Sequence, residues 1–164
     1  NEVDECAIKT LRKYGDFDFK NATSDAIELD SEEEKKSLES ENNDSKEMLD
    51  FIKDSIGKLS AVRFTSSLGE HAASLGTEGE LSLEMEKILK KMPGADELGS
   101  PNASLVLEIN REHKIAEKLK SLYKTDKETL AKYAKILYGE ACLVSGLSLE
   151  SPSEFTKLVS ELMS

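Results

Sequence analysis

Apolar residues recur at helical or strand spacing along most of the chain and predict a mixed order of elements. Apolar side chains at every third or fourth position indicate amphipathic helices, whereas strict alternation indicates a strand with one buried face. Capping boxes and glycines mark where elements begin and end. The pattern predicts helices over residues 3–14, 31–56 (with a break at 42–45) and 82–92, strands over residues 17–22, 61–65, 72–75 and 105–109, and three closing helices capped at Asn110, Thr125 and Ser151.

The last two predicted helices form a hairpin with one broad apolar face. Gly146 is expected to end the first helix, and Pro152 takes the first position of the second. The apolar face can fold back on the sheet of its own chain, or two copies can bury it as a four-helix bundle around a twofold axis. The candidate interface or hairpin-core residues are Leu130, Tyr133, Leu137, Tyr138, Ala141, Phe155, Leu158, Val159 and Leu162.

Residues 79–92 are rich in flexible apolar side chains. An ordinary core helix explains most of them, but it does not explain Leu81 and Leu83 near the exposed start of the segment. Surfaces rich in methionine adapt to many partners. The segment is therefore also a candidate partner-binding surface, made of Leu81, Leu83, Met85, Ile88, Leu89 and Met92.

The order of elements predicts an α+β fold in which helices cover a small mixed sheet of about three strands. The helix and strand within residues 1–27 cannot form a core alone. Strand 17–22 therefore needs a partner, and a neighbouring chain is one candidate because an unpaired strand edge invites pairing.

Composition favours one modest domain with an additional polar segment. The chain has 164 residues, a formal charge of −11, 38% apolar residues and no tryptophan. Residues 28–54 carry 11 acidic and 4 basic residues, a net charge of −7, which is typical of a solvated helix or linker. Nucleic acid is not an expected partner, because phosphate binding needs a basic face. No membrane partner is expected either, since no apolar run approaches about 18 residues.

Residues that could carry chemistry are few and scattered. His71 and His113 have no second histidine or cysteine at metal-ligand spacing, so surface or capping roles are expected. A Ser-His-Asp triad assembled by the fold stays open as an alternative, although no Gly-x-Ser-x-Gly elbow or glycine-rich phosphate loop occurs. We therefore expect no enzyme activity and no catalytic, cofactor-binding or metal site within these residues.

The two cysteines, Cys6 and Cys142, lie far apart and form no CxxC pair. Buried small apolar residues are their expected role. Two isolated thiols indicate a reducing compartment, so a cytoplasmic location is expected.

The order and spacing of several short motifs resemble the C-terminal portion of the heat-shock protein 90 chaperones, in their bacterial form. No single motif is specific, but together they run through nearly the whole chain. The matching residues are Val3-Asp4-Glu5, Leu11, Tyr14-Gly15-Asp16, Phe19, Val62-Arg63-Phe64-Thr65, Ser82-Leu83-Glu84-Met85-Glu86, Leu107-Glu108-Ile109-Asn110, His113, Ile136-Leu137-Tyr138, Ala141, Leu143, Gly146, Leu149-Glu150-Ser151-Pro152 and Phe155.

The chain also departs from the family pattern. Ser151 stands where the family usually has aspartate, and serine caps a helix equally well. Arg111 stands where the family usually has proline, and further departures at residues 67–68 and 72–73 fall in loop 66–76. The chain ends at Ser164 without the acidic tail of the eukaryotic cytosolic form, so we expect no docking of tetratricopeptide co-chaperones.

The resemblance implies three parts: the end of a middle domain (1–27), a charged connecting helix (28–57) and a C-terminal dimerisation domain (58–164). It implies a homodimer formed by the last two helices, and contact of segment 79–92 with unfolded or partly folded client proteins. ATP and Mg²⁺ would bind an N-terminal domain outside these residues. The alternative is a monomeric acidic adaptor with no chaperone role.

Overall fold

The computed structural model describes residues 13–14, 17–18, 32–66, 68–78 and 104–163. The predicted helix over 82–92 lies outside the described residues. The elements, in chain order, are β1 (Lys13–Tyr14), β2 (Phe17–Asp18), α1 (Glu32–Asp44), α2 (Lys46–Ile56), β3 (Ala61–Thr65), β4 (Ala73–Glu78), β5 (Ser104–Asn110), α3 (Lys114–Thr125), α4 (Lys127–Val144) and α5 (Pro152–Met163).

Three strands form a mixed sheet in the order β3-β5-β4. Strand β5 lies at the centre, parallel to β3 with Phe64 opposite Ile109, and antiparallel to β4 with Leu75 opposite Leu107. The predicted α+β fold with a small mixed sheet is therefore confirmed. The alternation in β3 is confirmed as well, since Val62 and Phe64 are buried and their neighbours are half-buried.

The core lies between the sheet and three helices. Helix α2 packs on β3 and α4, α4 packs on β4, and α3 contacts both α4 and β5. The largest side chains buried completely in this core are Phe64, Ile52, Leu107, Ile109, Leu119, Leu130 and Val106. Helix α2, which belongs to the predicted connecting segment 28–57, contributes to this core, and the proposed domain boundaries stay a prediction.

Several helices and strands begin or end at residues other than those predicted from the sequence. Asn110 does not cap a helix, because it is the last residue of β5; His113 caps α3 instead, its Nδ1 accepting from Ile115 N at 3.2 Å. Thr125 ends α3, and Asp126 caps α4 in its place. The helix break predicted at residues 42–45 is observed at Ser45.

Within residues 3–22, the predicted strand is confirmed at Phe17–Asp18, whereas the predicted helix is wrong at Lys13–Tyr14. Lys13–Tyr14, expected at the end of a helix, is a strand that pairs antiparallel with Phe17–Asp18. The two short strands are each other's partners, with Tyr14 opposite Phe17, so strand β2 pairs within its own chain. Among the described residues, no helix combines the length and the apolar character needed to cross a membrane.

Asn110 organises the turn that follows the central strand. Its side chain is 3% exposed. Its Nδ2 donates to the carbonyl oxygens of Gly69 at 2.8 Å and His71 at 3.1 Å, and its Oδ1 accepts from Glu112 N at 3.0 Å. One buried amide therefore joins loop 68–72 to the end of β5.

Asn110→Asp should destabilise the chain by roughly 1–3 kcal/mol, because a carboxylate keeps the bond from Glu112 but faces two carbonyl oxygens without a donor. Urea unfolding at neutral pH measures this loss. Asn43→Asp makes the same change at an exposed position in α1 and should have little effect. Equal stability of the two variants would contradict the role assigned to Asn110.

Candidate functional site

Helices α4 and α5 form the hairpin that the sequence singles out. The Asp126 side chain opens α4 by accepting hydrogen bonds from Thr129 N at 3.0 Å and Thr129 Oγ1 at 2.7 Å. These bonds, the backbone one first, lower the pKa of Asp126 below its ordinary value. The last residue of α4 is Val144, and Gly146, the glycine predicted to stop the helix, adopts φ 65° while Leu147 N donates to Cys142 O at 2.8 Å.

The inner face of α4 belongs to the core of its own chain. Leu130, Leu137 and Ala141 are at most 3% exposed and pack with the sheet and α2. Tyr133 and Tyr138 are half-buried at the margin of that cluster. The structure therefore separates the predicted set: three of its α4 residues are already covered within one chain.

Helix α5 differs, because none of its residues is buried. Its apolar stripe is covered only in part, and it packs on α4. Two ion pairs, Lys132–Glu161 at 3.2 Å and Lys135–Glu154 at 3.4 Å, join the helices at their exposed margins. The half-buried stripe consists of Phe155, Leu158, Val159 and Leu162.

A glycine permits the close approach of α5. A Cβ atom built on Gly139 would lie 2.5 Å from Cδ2 of Phe155, so the ring occupies the space that any other residue would fill. Sequence reasoning missed this residue. A glycine in the interior of a helical pattern was the available signal, since it costs helix stability unless packing requires it.

More apolar surface remains at the ends of the hairpin. Leu143 and Val144 are 52% and 48% exposed at the end of α4, and Met163 is 83% exposed at the end of α5. Contiguous exposed apolar patches indicate interaction sites, whereas single exposed apolar side chains are normal on protein surfaces. The hairpin thus presents apolar positions on both of its helices.

A cleft of about 210 Å³ lies between the α4–α5 hairpin and the end of α2, where Ile56 and Lys58 line it. That is smaller than the roughly 300–1,000 Å³ of typical ligand pockets.

Burial raises the pKa of Tyr138 to about 12 and also raises the pKa of the Cys142 thiol, which shares a hydrogen bond with Tyr138. Glu150 pairs with Lys58 at the rim. Cys142 is buried, as predicted for a core thiol.

The two histidines have the surface and capping roles that the sequence predicts. His113 is exposed and caps α3, and His71 is exposed in the turn before β4. The described residues contain no group of three or more His, Cys, Asp or Glu side chains arranged to hold a metal ion. The predicted client-contact residues lie outside the described residues: Leu81, Leu83, Met85, Ile88, Leu89 and Met92.

Comparison with known proteins identifies the family. The family described as Hsp90 protein matches residues 1–164 of the chain. The chain belongs to the Hsp90 family. It is 40% identical over 164 residues to the chaperone protein HtpG of Clostridium acetobutylicum, a match that covers 99% of this chain and 26% of that protein.

Other bacterial relatives agree. The chaperone protein HtpG of Clostridium perfringens is 40% identical over 163 residues, covering 99% of this chain and 25% of the relative. That of Bacillus velezensis is 37% identical over 163 residues, with 99% and 26% covered. The resemblance to Hsp90 chaperones is confirmed, and the chain spans about a quarter of the length of these relatives.

Gly139→Ala should loosen α5 while leaving α4 in place. The new methyl group displaces the Phe155 ring, and overpacking of this kind costs about 1–3 kcal/mol, whereas alanine in a helix interior is favoured over glycine by roughly 1 kcal/mol. Hydrogen exchange should speed up at Val159 and Leu162 but not at Ala134. In a Phe155→Ala background the same substitution should not speed exchange in α5 any further, and unchanged exchange in α5 of the single variant would contradict the close contact.

Proposed function

We propose that this chain is the homodimerisation and client-contact module of an ATP-dependent chaperone. The observation that carries the proposal is the incomplete burial of α5, whose apolar stripe packs mainly on α4 among the elements that the structure describes. A second copy with the same stripe offers a self-complementary partner, as twofold interfaces require. Membership of the Hsp90 family supports a role in binding other proteins.

The proposed mechanism separates assembly from chemistry. We expect the ATP and Mg²⁺ sites to lie in the part of the longer protein that this chain does not include. Joining two copies through their terminal helices would raise the effective concentration of the attached domains for each other to about millimolar. The two copies of segment 79–92 would then offer two apolar surfaces to one unfolded polypeptide, in the cytoplasm.

Leu158→Glu and Leu162→Glu should each weaken the dimer, because an unpaired carboxylate buried in an interface costs about 3–5 kcal/mol. Sedimentation equilibrium at micromolar concentration measures the mass, which should be near twice the 18.1 kDa of the chain for the unmodified protein and near 18.1 kDa for both variants. Thr156→Glu is the matched control, since it adds the same charge to the exposed side of α5.

The result separates the two candidate functions. A chain that stays monomeric over the whole concentration range favours the acidic adaptor over the dimerisation module. A dimer that persists in both leucine variants would contradict the assignment of α5 to the interface. Circular dichroism confirms that the variants stay folded, so that a lower mass reports association alone.

Replacing Leu81 and Leu83 with serine should weaken binding of an unfolded polypeptide, because each loses a buried apolar contact of about 1.5–3 kcal/mol. Fluorescence anisotropy with a reduced and alkylated, permanently unfolded protein measures the affinity. Glu84→Gln, which changes a polar residue of the same segment and keeps its apolar side chains, serves as the control. Equal affinity of the double variant and the original chain would contradict client contact through this segment.

A further inference from the structure

Helix α1 is held to the rest of the chain almost entirely by polar contacts. Its sequence contains one apolar residue, Leu38, which is partly buried against the core. Every other side chain described in α1 is half-buried or exposed. Helix α2, by contrast, buries Met48, Leu49 and Ile52. Two helices that follow each other directly are therefore anchored by different forces, with the junction at Ser45.

Glu41 lies between two cations from other elements. Its Oε1 lies 2.6 Å from Lys120 Nζ, and its Oε2 lies 3.0 Å from Arg111 Nε. Oε2 is a buried atom without a hydrogen bond of good geometry, so its contact with Arg111 is ionic. The side chain of Glu41 is 18% exposed, and such a group needs its cations close by.

Arg111 makes a second contact with α1. Its Nη2 donates to Ser37 Oγ at 3.1 Å, one turn before Glu41. A proline, which the family resemblance suggests at this position, could make neither contact. The charge of α1 matches the two cations, because the helix carries six acidic and two basic residues, a net charge of −4.

Asn42, the next residue along α1, occupies the open edge of the sheet. Its Oδ1 accepts from Phe64 N at 2.7 Å, and its Nδ2 donates to Phe64 O at 3.2 Å. A side-chain amide thus makes the two bonds that a neighbouring strand would make, and β3 is an edge strand of the sheet. Lys120 Nζ also lies 5.0 Å from the centroid of the Phe64 ring, so one lysine contacts both the ion pair and the edge residue.

We propose that α1 is a releasable strap, locked by an ionic latch of Glu41, Arg111 and Lys120, which covers the edge of β3 through Asn42. Opening the latch frees α1 as far as Ser45 while α2 and the sheet stay folded, because α2 has its own apolar anchor. The backbone N–H and C=O of Phe64 then lose their partner and face solvent. The strap thereby controls whether the sheet edge is covered or open.

Hydrogen exchange at the Phe64 amide tests the strap directly, because its proton is bonded to Asn42. Glu41→Gln should speed this exchange by about tenfold or more, as expected when a half-buried, charge-assisted contact is lost. The Leu107 amide in the central strand should be unchanged. Exchange at Phe64 should also depend only weakly on urea, since freeing one polar helix exposes little surface.

Two variants complete the experiment. Glu39→Gln removes the same charge from an exposed position of the same helix and should leave Phe64 unaffected. Asn42→Ala removes the acceptor itself and should speed exchange at Phe64 at least as much as Glu41→Gln does. The proposal is overturned if Glu41→Gln leaves Phe64 unchanged, if Glu39→Gln has the same effect, or if Phe64 and Leu107 speed up together.

Discussion

Helix α4 packs against the core on one face and against α5 on another, and the rest of the structure depends on this arrangement. Its inner face, which includes Leu130 and Leu137, is already buried against the sheet and α2. Helix α5 therefore packs on the opposite side of α4. One helix offers too little surface to bury another completely, and α5 accordingly buries no residue. Gly139 lets the Phe155 ring pack in the space that a Cβ atom on α4 would otherwise fill. The apolar surface proposed for dimer formation is thus a consequence of how the core was assembled.

The same small sheet explains the polar side of the molecule. A three-stranded sheet has two edges, and an edge strand presents unpaired backbone groups. Here α1 covers the β3 edge with an amide rather than with an apolar face, and charges hold the helix in place. Apolar burial resists separation far more than exposed or half-exposed polar contacts do. Stability should therefore rise from α1, through the α5 hairpin, to the core made by α2, α4 and β5.

Sequence patterns predicted what depends on one element and failed where an element depends on its neighbours. The alternation of Val62 and Phe64 and the glycine that ends α4 were predictable, because period and backbone conformation are local. Asparagine suits caps, so the sequence predicts a helix start at Asn110, but the strand extends to this residue and its amide bonds within the turn. In the candidate site, the apolar stripe of α5 was predictable. Only the packed structure shows which apolar residues of α4 are already buried in the core and that the Phe155 ring packs on Gly139.

The energetics of association indicate how large the proposed interface has to be. Joining two proteins costs an estimated 4–15 kcal/mol in lost freedom of motion. Burying the remaining exposed surface of a half-buried leucine or valine against a partner would contribute about 1 kcal/mol of transfer free energy. The four apolar residues of α5, counted on both copies, offset only the lower part of that cost. Leu143 and Val144 on α4 and Met163 on α5 are exposed apolar side chains that could supply more. Contact through both helices of the hairpin would therefore stabilise a dimer more than contact through α5 alone.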